Sequence, residues 1–142
     1  MAFSNMPKRI VIHAGFHKTG TTTIQKMLRH NNQLLRPNIQ VVLRDGMVSL
    51  CEAARAYSVS KSALDLGLVQ FETAETLQKF TDFSGTLLLS SEDLSGHMPG
   101  RRGLKSYASA PKILNAIYSA AAEVFSGSKS RFSLGHAHQN LG

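Results

Sequence analysis

The stretch IVIHAGFHKTGTTTIQKML, from Ile10 to Leu28, constrains this chain more than any other. It opens on a β-branched run, passes through a loop bounded by Gly15 and Gly20, and continues with apolar residues at helical spacing. Strand, glycine-bounded loop and helix in that order make an anion-binding arrangement. The first helical turn leaves backbone N–H groups unpaired, and the helix dipole favours negative charge there. The two glycines stand five residues apart, the spacing of G-x-x-x-x-G-K-[ST]. In that pattern a lysine follows the second glycine. Here Thr21 takes that place and Lys18 lies inside the loop. Lys18 is therefore expected to meet a phosphate from the loop side, with Thr21, Thr22 and Thr23 adding hydroxyl donors where the helix begins.

The remaining patterns alternate in type. Lys8 to Gly15 reads as a buried strand and Thr21 to Asn32 as a helix. A second strand is expected over Ile39 to Leu43, closed by the Asp45-Gly46 turn. LCEAARAY is predicted helical, as are parts of SALDLGLVQFETAETLQKF. Thr86 to Ser90 gives a third strand, and Gly96 to Gly103 a loop rich in glycine and positive charge. APKILNAIYSAAAEVF is a helix with Pro111 near its first turn, and SRFSL begins a fourth strand. This alternation predicts an α/β fold with a mainly parallel sheet. It spans residues 1–142 as a single domain without internal repeats. The strand beginning at Arg131 is expected to be central, although no helix pattern follows it.

Charge and cysteine usage narrow the setting. A formal net charge of +7 favours an anionic ligand and also suits nucleic acid or a membrane surface. No stacking-aromatic pattern accompanies it, so nucleic acid is not the expected partner. No run of apolar residues is long enough for a membrane span, and no signal-peptide pattern stands at the N-terminus. Cys51 is the sole cysteine, which excludes an intrachain disulfide and points to a cytoplasmic setting. It reads as a small buried apolar residue. His13 reads as packed rather than catalytic, and His136 and His138 form an H-x-H pair with no third ligand near in sequence. No metal is expected.

GFHKTGTTTIQ, Gly15 to Gln25, resembles the 5′-phosphosulfate-binding loop of the sulfotransferases, which runs K-[TSA]-G-[TS]-[TS]. LLLSSEDLSG resembles the third-strand region of carbohydrate-type and related bacterial members, where Ser-Ser-Glu ends the strand. The resemblance implies a P-loop NTPase-like three-layer sandwich. It also implies 3′-phosphoadenosine 5′-phosphosulfate as donor and transfer of a sulfuryl group to a hydroxyl or amine of a small-molecule or carbohydrate acceptor. By resemblance, Lys18 stabilises the leaving phosphate oxygen. Gly15, His17, Lys18, Thr19, Gly20, Thr21, Thr22 and Thr23 form the donor-binding loop. Glu92 is the first candidate for general base, at the strand end where open α/β sheets bind ligands; His17 and His97 follow it. Glu92 also reads as a helix cap or solvated carboxylate, and Ser91 and Asp93 have cap-like character.

The family pattern stops near Gly135. An arginine at the end of the next strand and a later serine hold the donor's 3′-phosphate in the family. Neither has a counterpart in GHAHQNLG, and Arg131 and Ser133 do not carry over. The chain is thus expected to be the N-terminal part of such a domain, incomplete at its C-terminal end by truncation, frame-shift or natural design. A homo-oligomer would cover the edge this leaves. Arg101, Arg102 and Lys105 read as a solvated basic loop, or else as contacts to an anionic acceptor or the 3′-phosphate. Two other readings stay open: a non-catalytic remnant that binds an adenosine phosphate, and a nucleotide kinase-like protein using ATP with magnesium. For the latter, Asp93 is the one candidate acidic partner of the metal.

Overall fold

A computed structural model describes residues 7, 9–15, 21–31, 34, 38–97, 99–100, 106–125 and 131–135; for 21–25 and 131–135 it describes the backbone alone. The elements follow in the order β1 (Arg9–His13), α1 (Thr21–His30), β2 (Ile39–Val42), α2 (Val48–Ser60), α3 (Ala63–Gln78), β3 (Thr86–Ser90), α4 (Ala110–Val124) and β4 (Arg131–Gly135). Short 3₁₀ turns at Arg44–Gly46 and Glu92–Ser95 follow β2 and β3. The four strands form one sheet in the order β2-β3-β1-β4, and every pair is parallel. The protein is therefore α/β, as the alternation predicts.

Burial alternates along the strands. Ile10, Ile12, Leu87, Leu89 and Val42 are buried, while Arg9, Val11, Thr86 and Leu88 are more exposed. The register brings these sets together, with Ile10 opposite Leu87 and Ile12 opposite Leu89. The buried set joins one core with α2, α3 and α4, through Leu50, Val69, Leu77, Ile113 and Ile117. Right-handed crossovers account for this. The connections β2-to-β3 and β3-to-β4 advance across the sheet in one direction and put their helices on one face. The β1-to-β2 connection runs the other way, and the same rule assigns α1 to the opposite face.

Local chemistry sets the helix ends. Ser62 caps α3 by accepting a hydrogen bond from the Asp65 N–H at 3.1 Å. The residue before it, Lys61, closes α2 in the left-handed region at φ 56°, its N–H donating to the Tyr57 carbonyl. Two helices thus turn a corner in two residues. α3 runs unbroken from Ala63 to Gln78 despite Gly67, longer than the partial helix its sequence predicts. Burial of Val69, Thr73, Thr76 and Leu77 outweighs the cost of one interior glycine. α1 ends at His30, two residues before the expected Asn32. Both the backbone N–H and the side-chain amide of Asn31 donate to the Met27 carbonyl there. β4 lies beside β1 at the edge of the sheet rather than at its centre, since no further strand pairs with it among the described residues. No helix among the described residues is long and apolar enough to cross a membrane.

Candidate functional site

β1 and β3 are adjacent central strands whose connections leave toward opposite faces. The crevice at their carboxyl ends is the topological switch point, where open α/β sheets bind ligands. The two stretches singled out in the sequence both emerge there. His13 ends β1 opposite Ser90 at the end of β3, and His13 Nδ1 lies 2.8 Å from Ser90 Oγ. The Ser91 N–H donates to the His13 carbonyl at 3.1 Å. Ala14 and Gly15 follow in the interior, Gly15 in the left-handed region at φ 49°. Glycine takes that conformation without a side-chain clash.

Beyond β3 the chain winds into the 3₁₀ turn Glu92–Ser95. Ser91 caps it, its hydroxyl accepting from the Asp93 N–H at 3.2 Å. Glu92 is the first residue of the turn and is half-buried. The cap is therefore Ser91, and Glu92 stands next to it, just past the carboxyl end of β3. Asp93 is paired with Arg44 at 2.8 Å, with its side chain only 14% exposed. At the end of the turn, the buried Ser95 hydroxyl donates to the Gly15 carbonyl at 2.8 Å. The turn that carries Glu92 is thus bonded to the segment that enters the loop.

α1 begins at Thr21, so Thr21, Thr22 and Thr23 form its first turn, and that turn contains no acidic residue. The first turn of a helix has N–H groups without intrahelical partners and a dipole that favours an anion. His17, Lys18, Thr19 and Gly20 lie outside the described residues, as do Arg101, Arg102, Lys105, His136 and His138. His97 lies further along the same loop as Glu92. Its N–H donates to the Ser58 hydroxyl at 3.0 Å. An open cleft of about 420 Å³ beside it is lined by Glu52, Arg55, Val59, Ser60, Asp65 and His97. Cys51 is buried at the start of α2, and loss of solvent pushes its thiol up to about 11 despite a hydrogen bond with Ser91. It stays a neutral packing residue, as the sequence predicts.

Sequence reasoning did not single out Ser90 or Ser95. Their signal was faint: serines where an apolar strand gives way to a turn, in LLLSSEDLSG. His13, expected to be packed, is half-buried and bonded to Ser90.

These features define an α/β protein with a set of polar, hydrogen-bonded residues at the carboxyl ends of adjacent strands of a parallel sheet. No protein-family model matches the chain, and no curated protein is significantly similar to it.

Proposed function

We propose that the chain is a sulfotransferase-type domain. It would bind 3′-phosphoadenosine 5′-phosphosulfate at the loop from Gly15 to Thr23 and hold the acceptor near Glu92. One observation carries this reading most. The loop entry and the Glu92 turn, some 80 residues apart in sequence, meet at the carboxyl ends of β1 and β3 and are bonded through Ser95 and Gly15. The strand order, with β1 inside the sheet between β3 and β4, supports a P-loop sandwich. The engagement of Asp93 by Arg44 supports donor binding without magnesium, since a paired carboxylate is a poorer metal ligand.

The residues have distinct tasks in this reading. N–H groups of the first turn of α1 and the threonine hydroxyls hold the 5′-phosphate. Glu92 takes the proton of the acceptor hydroxyl as its oxygen bonds to sulfur. The bond from sulfur to the phosphate oxygen breaks, and its electron pair stays on that oxygen beside the Lys18 ammonium. The products are a sulfated acceptor and 3′,5′-adenosine bisphosphate. The acceptor is a small molecule or carbohydrate, and the single buried cysteine suits a cytoplasmic setting.

Calorimetric titration tests this. 3′,5′-adenosine bisphosphate is expected to bind, ATP with magnesium to bind more weakly or not at all, and Lys18→Ala to lose the bisphosphate. A preference for ATP with magnesium would overturn the assignment in favour of a kinase-like protein. The break in family pattern after Gly135 favours a second reading, a remnant that binds the adenosine phosphate without turnover. Bisphosphate binding with no sulfated product across an acceptor screen would select it.

A further inference from the structure

We infer that Ser95 is a positioning residue for the donor loop, a strap that sets the loop's entry from the acceptor side of the crevice. This rests on the sulfotransferase reading for its ligand, but on geometry for its mechanism. The Ser95 side chain is nearly inaccessible, at 2% exposure, and its hydroxyl donates to the buried Gly15 carbonyl at 2.8 Å. Gly15 is the last described residue before the loop, and its φ of 49° sets the direction in which the chain leaves β1. A glycine in the left-handed region has wide conformational freedom, so that direction needs an outside constraint. Among the described residues, the strand register of β1 runs as far as His13, whose carbonyl accepts from the Ser91 N–H. Beyond that point, the Ser95 bond holds the peptide plane that follows Gly15.

The same bond fixes the other half of the site. Ser95 ends the 3₁₀ turn that Glu92 begins, and the turn is closed internally by the Leu94 N–H donating to the Ser91 carbonyl and the Gly96 N–H donating to that of Asp93. A shift of the loop entry is therefore passed to Glu92 through one short, bonded turn. The distance between sulfur and base would be set by this strap, not by either segment alone. Orientation of this kind is worth large factors in rate when reacting groups must meet closely.

The test compares Ser95→Ala with Thr73→Ala. Thr73 is a fully buried residue of α3 whose hydroxyl donates to the Val69 carbonyl at 2.7 Å, so it loses a similar bond away from the site. Two readouts are taken on folded protein: calorimetric affinity for 3′,5′-adenosine bisphosphate, and amide hydrogen exchange over residues 14–25. Ser95→Ala is expected to weaken affinity about tenfold and to speed exchange in that segment, while Thr73→Ala changes neither. Wild-type affinity and wild-type exchange in Ser95→Ala would overturn the inference. Equal acceleration by Thr73→Ala would also overturn it, because the effect would then be general loosening. If the wild-type chain binds no bisphosphate, the sulfotransferase reading fails by itself, and exchange alone decides whether the strap exists.

Discussion

The carboxyl ends of β1 and β3 and the helical layer behind the sheet are held together by different physics. In the helical layer, Val69, Leu77, Ile113 and Ile117 are buried against Ile10, Ile12, Leu87 and Leu89. Their contribution is apolar, non-directional and proportional to area removed from water. At the strand ends, the buried Ser90, Ser91 and Ser95 and the half-buried His13 take part in directional bonds of 2.8 to 3.1 Å. Each such bond adds little net stability, but leaving one of these groups unpaired is costly. The layer therefore supplies most of the stability, and the strand ends supply a defined geometry. The donor and base of the proposed sulfotransferase site would need the second kind of contact.

Substitutions should separate these two roles. The largest stability effect is expected in the layer. Ile117→Ala, at a residue with no exposed surface, should cost about 2–5 kcal/mol in urea unfolding. Its bisphosphate affinity per folded molecule should match wild type, and a large loss of affinity would break the division proposed here. Next comes the junction between the two regions. Gly96 has φ 96°, and an added Cβ would lie 2.6 Å from Ser58 Cβ. Gly96→Ala should cost about 1–3 kcal/mol and disturb the His97–Ser58 bond. Wild-type stability in this variant would mean that the loop end is not held against α2.

The smallest effect belongs to a pair outside both regions. Arg29 and Asp45 meet at 2.8 Å with side chains 60% and 67% exposed. Hydrogen bonding from Arg29 holds the Asp45 carboxyl below its ordinary value of 3.8. A carboxyl lowered on folding stabilises the protein above its unfolded value, and the gain is lost as pH falls through the lower, folded value. Comparing Arg29→Ala with wild type between pH 6 and pH 2 should show a difference below about 1 kcal/mol. It should vanish at the acid end and shrink in high salt.

Parts of this arrangement were legible in the sequence, for a clear reason. Thr86–Ser90 reads as a strand with its observed bounds, because an apolar run flanked by Gly85 and Ser91 carries its own limits. The helix at Ala110–Val124 was equally plain, with Pro111 in its first turn and Ile113, Leu114, Ile117 and Ala121 on one buried face. The sequence puts Glu92 just past the strand end but does not single out the cap, since Ser91, Glu92 and Asp93 all suit that position. The structure gives the cap to Ser91. Ser95 could not be recognised, because a serine in a turn is ordinary until its partner is known. That partner, Gly15, is 80 positions away.

What the sequence determined by itself is what depends on near neighbours. These are the strand–loop–helix order at Ile10 to Leu28, the alternation that makes the fold α/β, and the charge and donor groups that suit an anion. Backbone propensity, capping and hydrophobic period act over a few residues, so they can be read in line. Tertiary structure alone decided the order β2-β3-β1-β4 among the described residues, and the meeting of His13 with Ser90 and of Gly15 with Ser95. These depend on which strands become neighbours across the sheet. That outcome is set by the burial of the whole core and the handedness of the crossovers, and no short stretch of the chain contains it.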